Sequence, residues 1–137
     1  MDTKSLSINL VWLKRDLRLS DHHPLEAAEQ SGLPYLIVYI MEPSIVQLPT
    51  TALRHLQFQY HSIQKMNQQL STMGRAVFLC YGEVIEVIQS ILKQYSVEKV
   101  FSYQESGSPE TFTRDRAVQT FLKEQNIQWE EFQKDGV

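Results

Sequence analysis

The densest group of reactive side chains in this sequence is Lys14-Arg15-Asp16-Leu17-Arg18, followed by Ser20 and Asp21. Two arginines three residues apart with an aspartate between them offer a defined chemistry. One guanidinium can turn inward against Asp16 while the other stays available for a ligand or another domain. A solvated loop whose charges pair among themselves accounts for the same residues. His22-His23 raises the question of a metal, but adjacent helical residues point about 100° apart. No cysteine or carboxylate cluster completes a ligand set, so no metal is expected. Cys80 closes an apolar run and is expected to be a buried, inert thiol. His55 and His61 fall off the apolar stripe of a long helical pattern and are expected on a solvated face. No Ser-His-Asp or Cys-His arrangement has supporting spacing, so no catalytic residue is assigned. Neither G-x-G-x-x-G nor G-x-x-x-x-G-K-[ST] occurs, which disfavours dinucleotide or P-loop phosphate binding. A receiver-type phosphoacceptor is disfavoured too, since the third apolar run ends in Cys80-Tyr81 rather than an aspartate.

Five apolar runs must position these groups: Ile8 to Leu13, Pro34 to Met41, Ala76 to Tyr81, Val97 to Tyr103 and Ile127 to Phe132. Their near-continuous apolarity is that of strands covered on both faces. Four helical patterns alternate with them. The first runs from Asp21 to Ser31, with Pro24 tolerable in the first turn. The second starts near Thr51 and places Leu53, Leu56, Tyr60, Ile63 and Leu70 on one face. Val84, Ile88, Ile91, Leu92 and Tyr95 mark the third. The fourth opens at Ser108-Pro109, an N-cap followed by proline at the first helical position, and turns Val118, Phe121 and Leu122 inward. Gly32 and Gly74 fall where left-handed helix ends are expected, and Gly82 lies between a strand and a helix. The order β-α-β-α-β-α-β-α-β predicts an α/β fold, a doubly wound Rossmann-like five-stranded parallel sheet with helices on both faces. The helix from about Thr51 to Met73 is predicted to be the longest. Ligands of such sheets bind beyond the strands' carboxyl ends. That selects the loops Lys14 to Asp21, Glu42 to Thr51, Gly82-Glu83 and Gln104 to Ser108.

The chain has 137 residues, one domain's worth, enough to bury roughly 68% of its unfolded surface without staples. Thirteen basic and 16 acidic residues give a net charge of −3. This argues against a whole-surface nucleic-acid binder while leaving room for a local basic patch. One cysteine cannot form an internal disulfide, so a reducing, cytoplasmic compartment is expected. No apolar run approaches the ~20 residues of a membrane span, and Met1-Asp-Thr-Lys-Ser lacks the order of a signal peptide.

Leu10-Val-Trp-Leu-Lys-Arg-Asp-Leu-Arg-Leu-Ser-Asp21, followed by Pro24-Leu25, resembles the opening of the photolyase and cryptochrome family. In that family a first strand ends in Trp-Phe-Arg-x-Asp-Leu-Arg-x-x-Asp-Asn. Trp12, Asp16, Leu17, Arg18 and Asp21 match. Leu13 stands for the usual aromatic residue, Lys14 for an arginine and His22 for an asparagine. Glu105-Ser-Gly107, Arg114-Asp115-x-Ala-Val118, Trp129 and Gly136-Val137 resemble a bacterial photolyase-related branch.

The resemblance implies that residues 1–137 are the family's N-terminal α/β domain, which in many members holds a light-harvesting antenna: a folate, a deazaflavin or a flavin. It implies a partner, the C-terminal helical domain that carries FAD and the damaged-base pocket, and that domain is expected to lie outside this chain. The parent would be a deoxyribodipyrimidine photolyase or a blue-light-sensing cryptochrome. The fragment alone would have no activity and would meet DNA only through the full-length protein, with no membrane contact. An antenna site is expected at the strand carboxyl ends, from Arg15, Asp16, Leu17, Tyr39, Ile40, Met41, Glu42, Arg54 and Glu105. Trp12 and Trp129 are expected to pack structurally within strands. Two alternatives stay open. One is a stand-alone nucleotide-binding domain of universal-stress or electron-transfer-flavoprotein type, and the other a structural partner-docking domain.

Overall fold

Each apolar run becomes a strand because it can be covered from above and below. The computed structural model describes residues 6–14, 22–43, 49–71, 76–104 and 109–133, and of residues 49–56 and 59 the backbone alone. Its strands are β1 (Ser7–Leu13), β2 (Tyr35–Met41), β3 (Val77–Tyr81), β4 (Ser96–Tyr103) and β5 (Gln128–Phe132). Its helices are α1 (His23–Gln30), α2 (Pro49–Leu70), α3 (Val84–Leu92) and α4 (Pro109–Glu124). The strands form one sheet in the order β3-β2-β1-β4-β5, and all four ladders are parallel. The predicted alternation is therefore the observed one, and α2, at 22 residues, is the longest helix.

Alternation along each strand divides the core into two layers. On one face Ile8, Leu10, Trp12, Val38, Ile40 and Val100 pack under α3 and α4. On the other, Val11, Leu13, Ile37, Tyr39 and Phe101 pack under α1 and α2. The central strand β1 is buried from Ile8 onward, as a strand flanked by two others and by both helical layers should be.

Asn9 is buried within β1 and resolves a local irregularity. The pairing of β1 with β4 shifts register between Ile8 and Asn9, where a bulge interrupts the ladder. The Asn9 side chain spans it: Oδ1 accepts from the Lys99 amide at 3.0 Å, and Nδ2 donates to Ser31 Oγ at 3.0 Å. Gly32, after α1, has φ +82°, the left-handed conformation its position predicts. Asn126 takes φ +60° in the turn before β5, the role most tolerable for asparagine among non-glycine residues.

Three expectations need correction. β3 reads as a strand covered on both faces, yet Phe78, Leu79 and Tyr81 are exposed. It is the sheet's edge, where the helical layers no longer reach over both sides. Cys80, for the same reason, is half-buried rather than buried, although burial still pushes its thiol pKa up. Tyr60 belongs to the apolar stripe by spacing, but it is exposed, and the inward line of α2 is Ile63, Met66 and Leu70. His61 is exposed as expected. Met73, Gly74 and Ser108 lie outside the described residues, as do the side chains of Leu53, His55 and Leu56.

Candidate functional site at the carboxyl end of the sheet

The strand order reverses between β1 and β4, since the chain leaves β1 toward β2 on one side and returns through α3 to β4 on the other. The crevice beyond these two strand ends is where doubly wound sheets bind ligands. Lys14 directly follows β1 there and is buried. Alternation sends it to the same face as Trp12, and the same parity brings Glu42 after β2, Ser102 of β4 and Trp129 of β5 to that face. From α4, Arg114 and Asp115 meet them.

The Lys14 ammonium lies 4.5 Å from the Trp12 ring centroid and 5.2 Å from that of Trp129. The two indoles are 5.6 Å apart and tilted by 34°. Trp129 Nε1 donates to Ser102 Oγ at 2.9 Å, which fixes its ring. Lys14 Nζ also reaches Asp115 Oδ2 at 3.4 Å, and Arg114 Nη1 donates to Glu42 Oε1 at 2.6 Å. Arg114 Nε is 2.8 Å from Asp115 Oδ1. That contact lacks the alignment of a hydrogen bond, so it acts through Coulomb attraction alone. The Arg114 guanidinium carbon also sits 5.0 Å from the Trp12 centroid. Among the described residues, two cations and two carboxylates thus offset one another where a single buried charge would be costly. Glu131, at the end of β5, has its carboxyl pushed up mainly by desolvation, with Lys14 lowering it and Asp115 raising it. The cluster ties β1, β2, β5 and α4 together. Its chemistry is that of an electrostatic clamp with an aromatic wall.

Of the predicted site residues, Arg15, Asp16, Leu17 and Glu105 lie outside the described residues, as does the Arg54 side chain. The four from β2 and its end separate by parity. Tyr39 and Met41 face the α1 and α2 side, Met41 half-buried, whereas Ile40 and Glu42 face the α3 and α4 side. Glu42 is engaged by Arg114. The two histidines have different surroundings. His22 is buried at the N-cap of α1, its Nδ1 accepting from the Leu25 amide at 3.2 Å, with its ring edge-on to Tyr103. The His23 amide donates to the Tyr103 hydroxyl at 3.1 Å.

Sequence reasoning gave Lys14 and Asp115 no joint role. The signal was present in α4: Thr111, Val118, Phe121 and Leu122 are its buried residues, and Arg114 and Asp115 complete that stripe at helical spacing. A charged pair inside an inward stripe calls for buried partners.

The strand order, with its topological switch between β1 and β4, and the two helical layers define a doubly wound α/β domain. The sequence model of DNA photolyase matches residues 9–137. A deoxyribodipyrimidine photo-lyase of Alkalihalophilus pseudofirmus is 24% identical over 93% of this chain and 27% of its own length. Cryptochrome DASH of Synechocystis is 32% identical over 70% of this chain and 21% of its own. A Synechocystis cryptochrome crystal structure superposes with a TM-score of 0.83 at 26% identity, over 96% of this chain and 28% of that one. An archaeal photolyase from Sulfolobus tokodaii, described with two FAD molecules and a novel light-harvesting cofactor, shares the fold with a TM-score of 0.75 at 20% identity. The chain belongs to the DNA photolyase family and corresponds to its N-terminal α/β domain. It spans about a quarter of the length of the curated relatives it matches. Among the described residues, no helix is long and apolar enough to cross a membrane.

Proposed function

We propose that this chain is the antenna-binding α/β domain of a flavoprotein that repairs DNA with light or senses blue light. The observation that carries this reading is the family match across residues 9–137, on a fold whose strand order reverses between β1 and β4. FAD and the reacting DNA would belong to a helical partner domain, and DNA would be met through the full-length protein.

In this reading a flat aromatic chromophore would lie on the α2 side of β2. Tyr39 and Met41 face that side, and Met41 is half-buried at the strand end, an apolar floor from which a ring could exclude water. Arg15, Asp16, Leu17 and Glu105, with Arg54 from α2, would supply polar contacts around its edge. Glu42 takes a different role in this reading: its carboxylate holds Arg114 and so supports the crevice from beneath. When bound, a folate, deazaflavin or flavin would supply absorption from the near ultraviolet to the blue.

The test is to incubate the purified chain with each chromophore and with ATP, then remove unbound ligand by gel filtration. A folate or flavin spectrum that comigrates with the protein, and weakens at least tenfold on Met41→Asp, is expected. Retention of ATP with none of the chromophores would overturn the proposal in favour of a nucleotide-binding domain.

A further inference from the structure

β3 is an edge strand, and Val77–Tyr81 (VFLCY) contains no charge and no proline. Natural edges commonly carry such residues to block pairing with another chain. The direction of its backbone groups follows from one bond. The Gly82 amide donates to the Met41 carbonyl at 3.0 Å, so Phe78, Cys80 and Gly82 turn their backbone groups toward β2. Val77, Leu79 and Tyr81 turn theirs outward. At Val77 the outward groups are closed by Asn67 of α2. Its Oδ1 accepts from the Val77 amide at 2.6 Å and its Nδ2 donates to the Val77 carbonyl at 3.3 Å. Among the described residues, no such cap meets Leu79 or Tyr81. The two residues are 39% and 77% exposed. Tyr60, 47% exposed, lies on the same α2 stripe as Asn67, two turns earlier. Two turns span about 11 Å, or about three strand residues, which brings Tyr60 level with Cys80.

We propose that this edge is a self-association surface, on which two copies pair their β3 strands antiparallel about a twofold axis at Cys80. Leu79 then exchanges both backbone hydrogen bonds with Tyr81 of the second copy, and Tyr81 with its Leu79. Cys80 faces its own counterpart in a non-hydrogen-bonded position. The fit to a second copy comes from the length of the open stretch. It is bounded on one side by Asn67 at Val77 and on the other by Gly82, whose φ of +143° turns the chain away. The two open positions are symmetric about Cys80, so an identical stretch satisfies them without displacing Asn67. A longer strand would have to break that cap. The interface is isologous, which is the usual geometry of a dimer. The exposed parts of Tyr60, Phe78, Leu79 and Tyr81 come to roughly 400 Å² per copy, given about 150–250 Å² for a whole buried aromatic side chain. That places the pair among weak, transient interfaces of under about 1,200 Å².

The test is sedimentation equilibrium of the purified chain from micromolar to millimolar concentration, with cross-linking by copper–phenanthroline. The mass is expected to rise from 16.0 kDa toward twice that value. Leu79→Lys and Tyr81→Lys should each weaken association at least tenfold, because charge on the edge opposes pairing. Tyr81 is the more exposed of the two, so its lysine variant should keep the monomer's circular dichroism and unfolding cooperativity. A reducible dimer through Cys80 should form at alkaline pH, needed because burial raises the thiol pKa. The facing Cα atoms would be about 4.5 Å apart, inside the disulfide range of about 4.4–6.8 Å. A mass that stays at 16.0 kDa up to millimolar chain overturns the proposal and leaves the edge to a strand from another protein. Association unchanged in both lysine variants, or a dimer that gives no Cys80 cross-link, overturns it too.

Discussion

Asp115→Asn removes one carboxylate from the buried cluster and keeps its shape, which makes it the sharpest probe of what the clamp contributes. The side chains of Lys14 and Asp115 are 3% and 16% exposed, and Nζ and Oδ2 are 3.4 Å apart. Breaking a buried pair by removing one partner costs about 3–5 kcal/mol, because the other charge stays desolvated. Here Lys14 keeps two indole faces, and a desolvated cation–π contact is worth up to about 2 kcal/mol. The expected loss is therefore about 2–3 kcal/mol. An unfolding entropy near 2.1 cal/mol/K per residue makes about 0.3 kcal/mol/K for a chain of this length, so Tm should fall by about 7–10 °C. Lys14→Met places an apolar stem between the same indoles but leaves Glu42 and Asp115 to share Arg114, so its cost should also be about 2–3 kcal/mol. In that background Asp115→Asn should cost about 1 kcal/mol, leaving a coupling of about 1–2 kcal/mol. Urea unfolding followed by tryptophan emission suits the purpose, since both tryptophans of the chain lie in the cluster. Additivity of the two substitutions within about 0.5 kcal/mol would refute the argument that Lys14 and Asp115 share one buried ion pair.

Asn9→Ala should destabilise by about 2–3 kcal/mol, because it leaves the Lys99 amide at the β1–β4 bulge without its acceptor. A shift in the urea midpoint equivalent to less than about 0.5 kcal/mol would mean that the ladder re-forms around the missing side chain. Glu131 is largely exposed at the sheet edge, so the pH dependence it sets should be shallow. Desolvation raises its folded-state pKa, so just above the ordinary glutamate range the folded protein holds a proton that the unfolded chain has released. Its contribution to stability is complete below that range and is lost as pH rises through the raised value. Glu131→Gln should flatten this fall, as read from urea midpoints at closely spaced pH values, and an unchanged slope would show that the carboxyl is not the group responsible.

Local pattern carried the fold a long way, because in a parallel sheet burial itself writes the pattern. β1 lies between two strands and two helical layers, and its apolar run, Ile8 to Leu13, covers all of the strand but Ser7. The same reasoning misjudged β3, whose residues are as apolar as those of β2 but whose position at the edge is decided by topology alone. The site was less legible for a related reason. Lys14 and Asp115 are 101 residues apart, and neither local charge pattern names the other. Only the strand order brings β1 beside β4, and only the inward face of α4 delivers Asp115 there. His22 shows the opposite case, a role fixed by immediate neighbours. Asparagine is a favoured N-cap, and where the family pattern has asparagine, the Nδ1 of His22 accepts the amide three residues on, as an asparagine oxygen would. Its position before Pro24, at the start of a helix, carried that information more directly than its proximity to His23 carried any metal. The pairing partners of a residue follow from topology when they lie across the sheet and from helix position when they lie along the chain. The clamp at the switch point depends on the first, and the cap that opens α1 on the second.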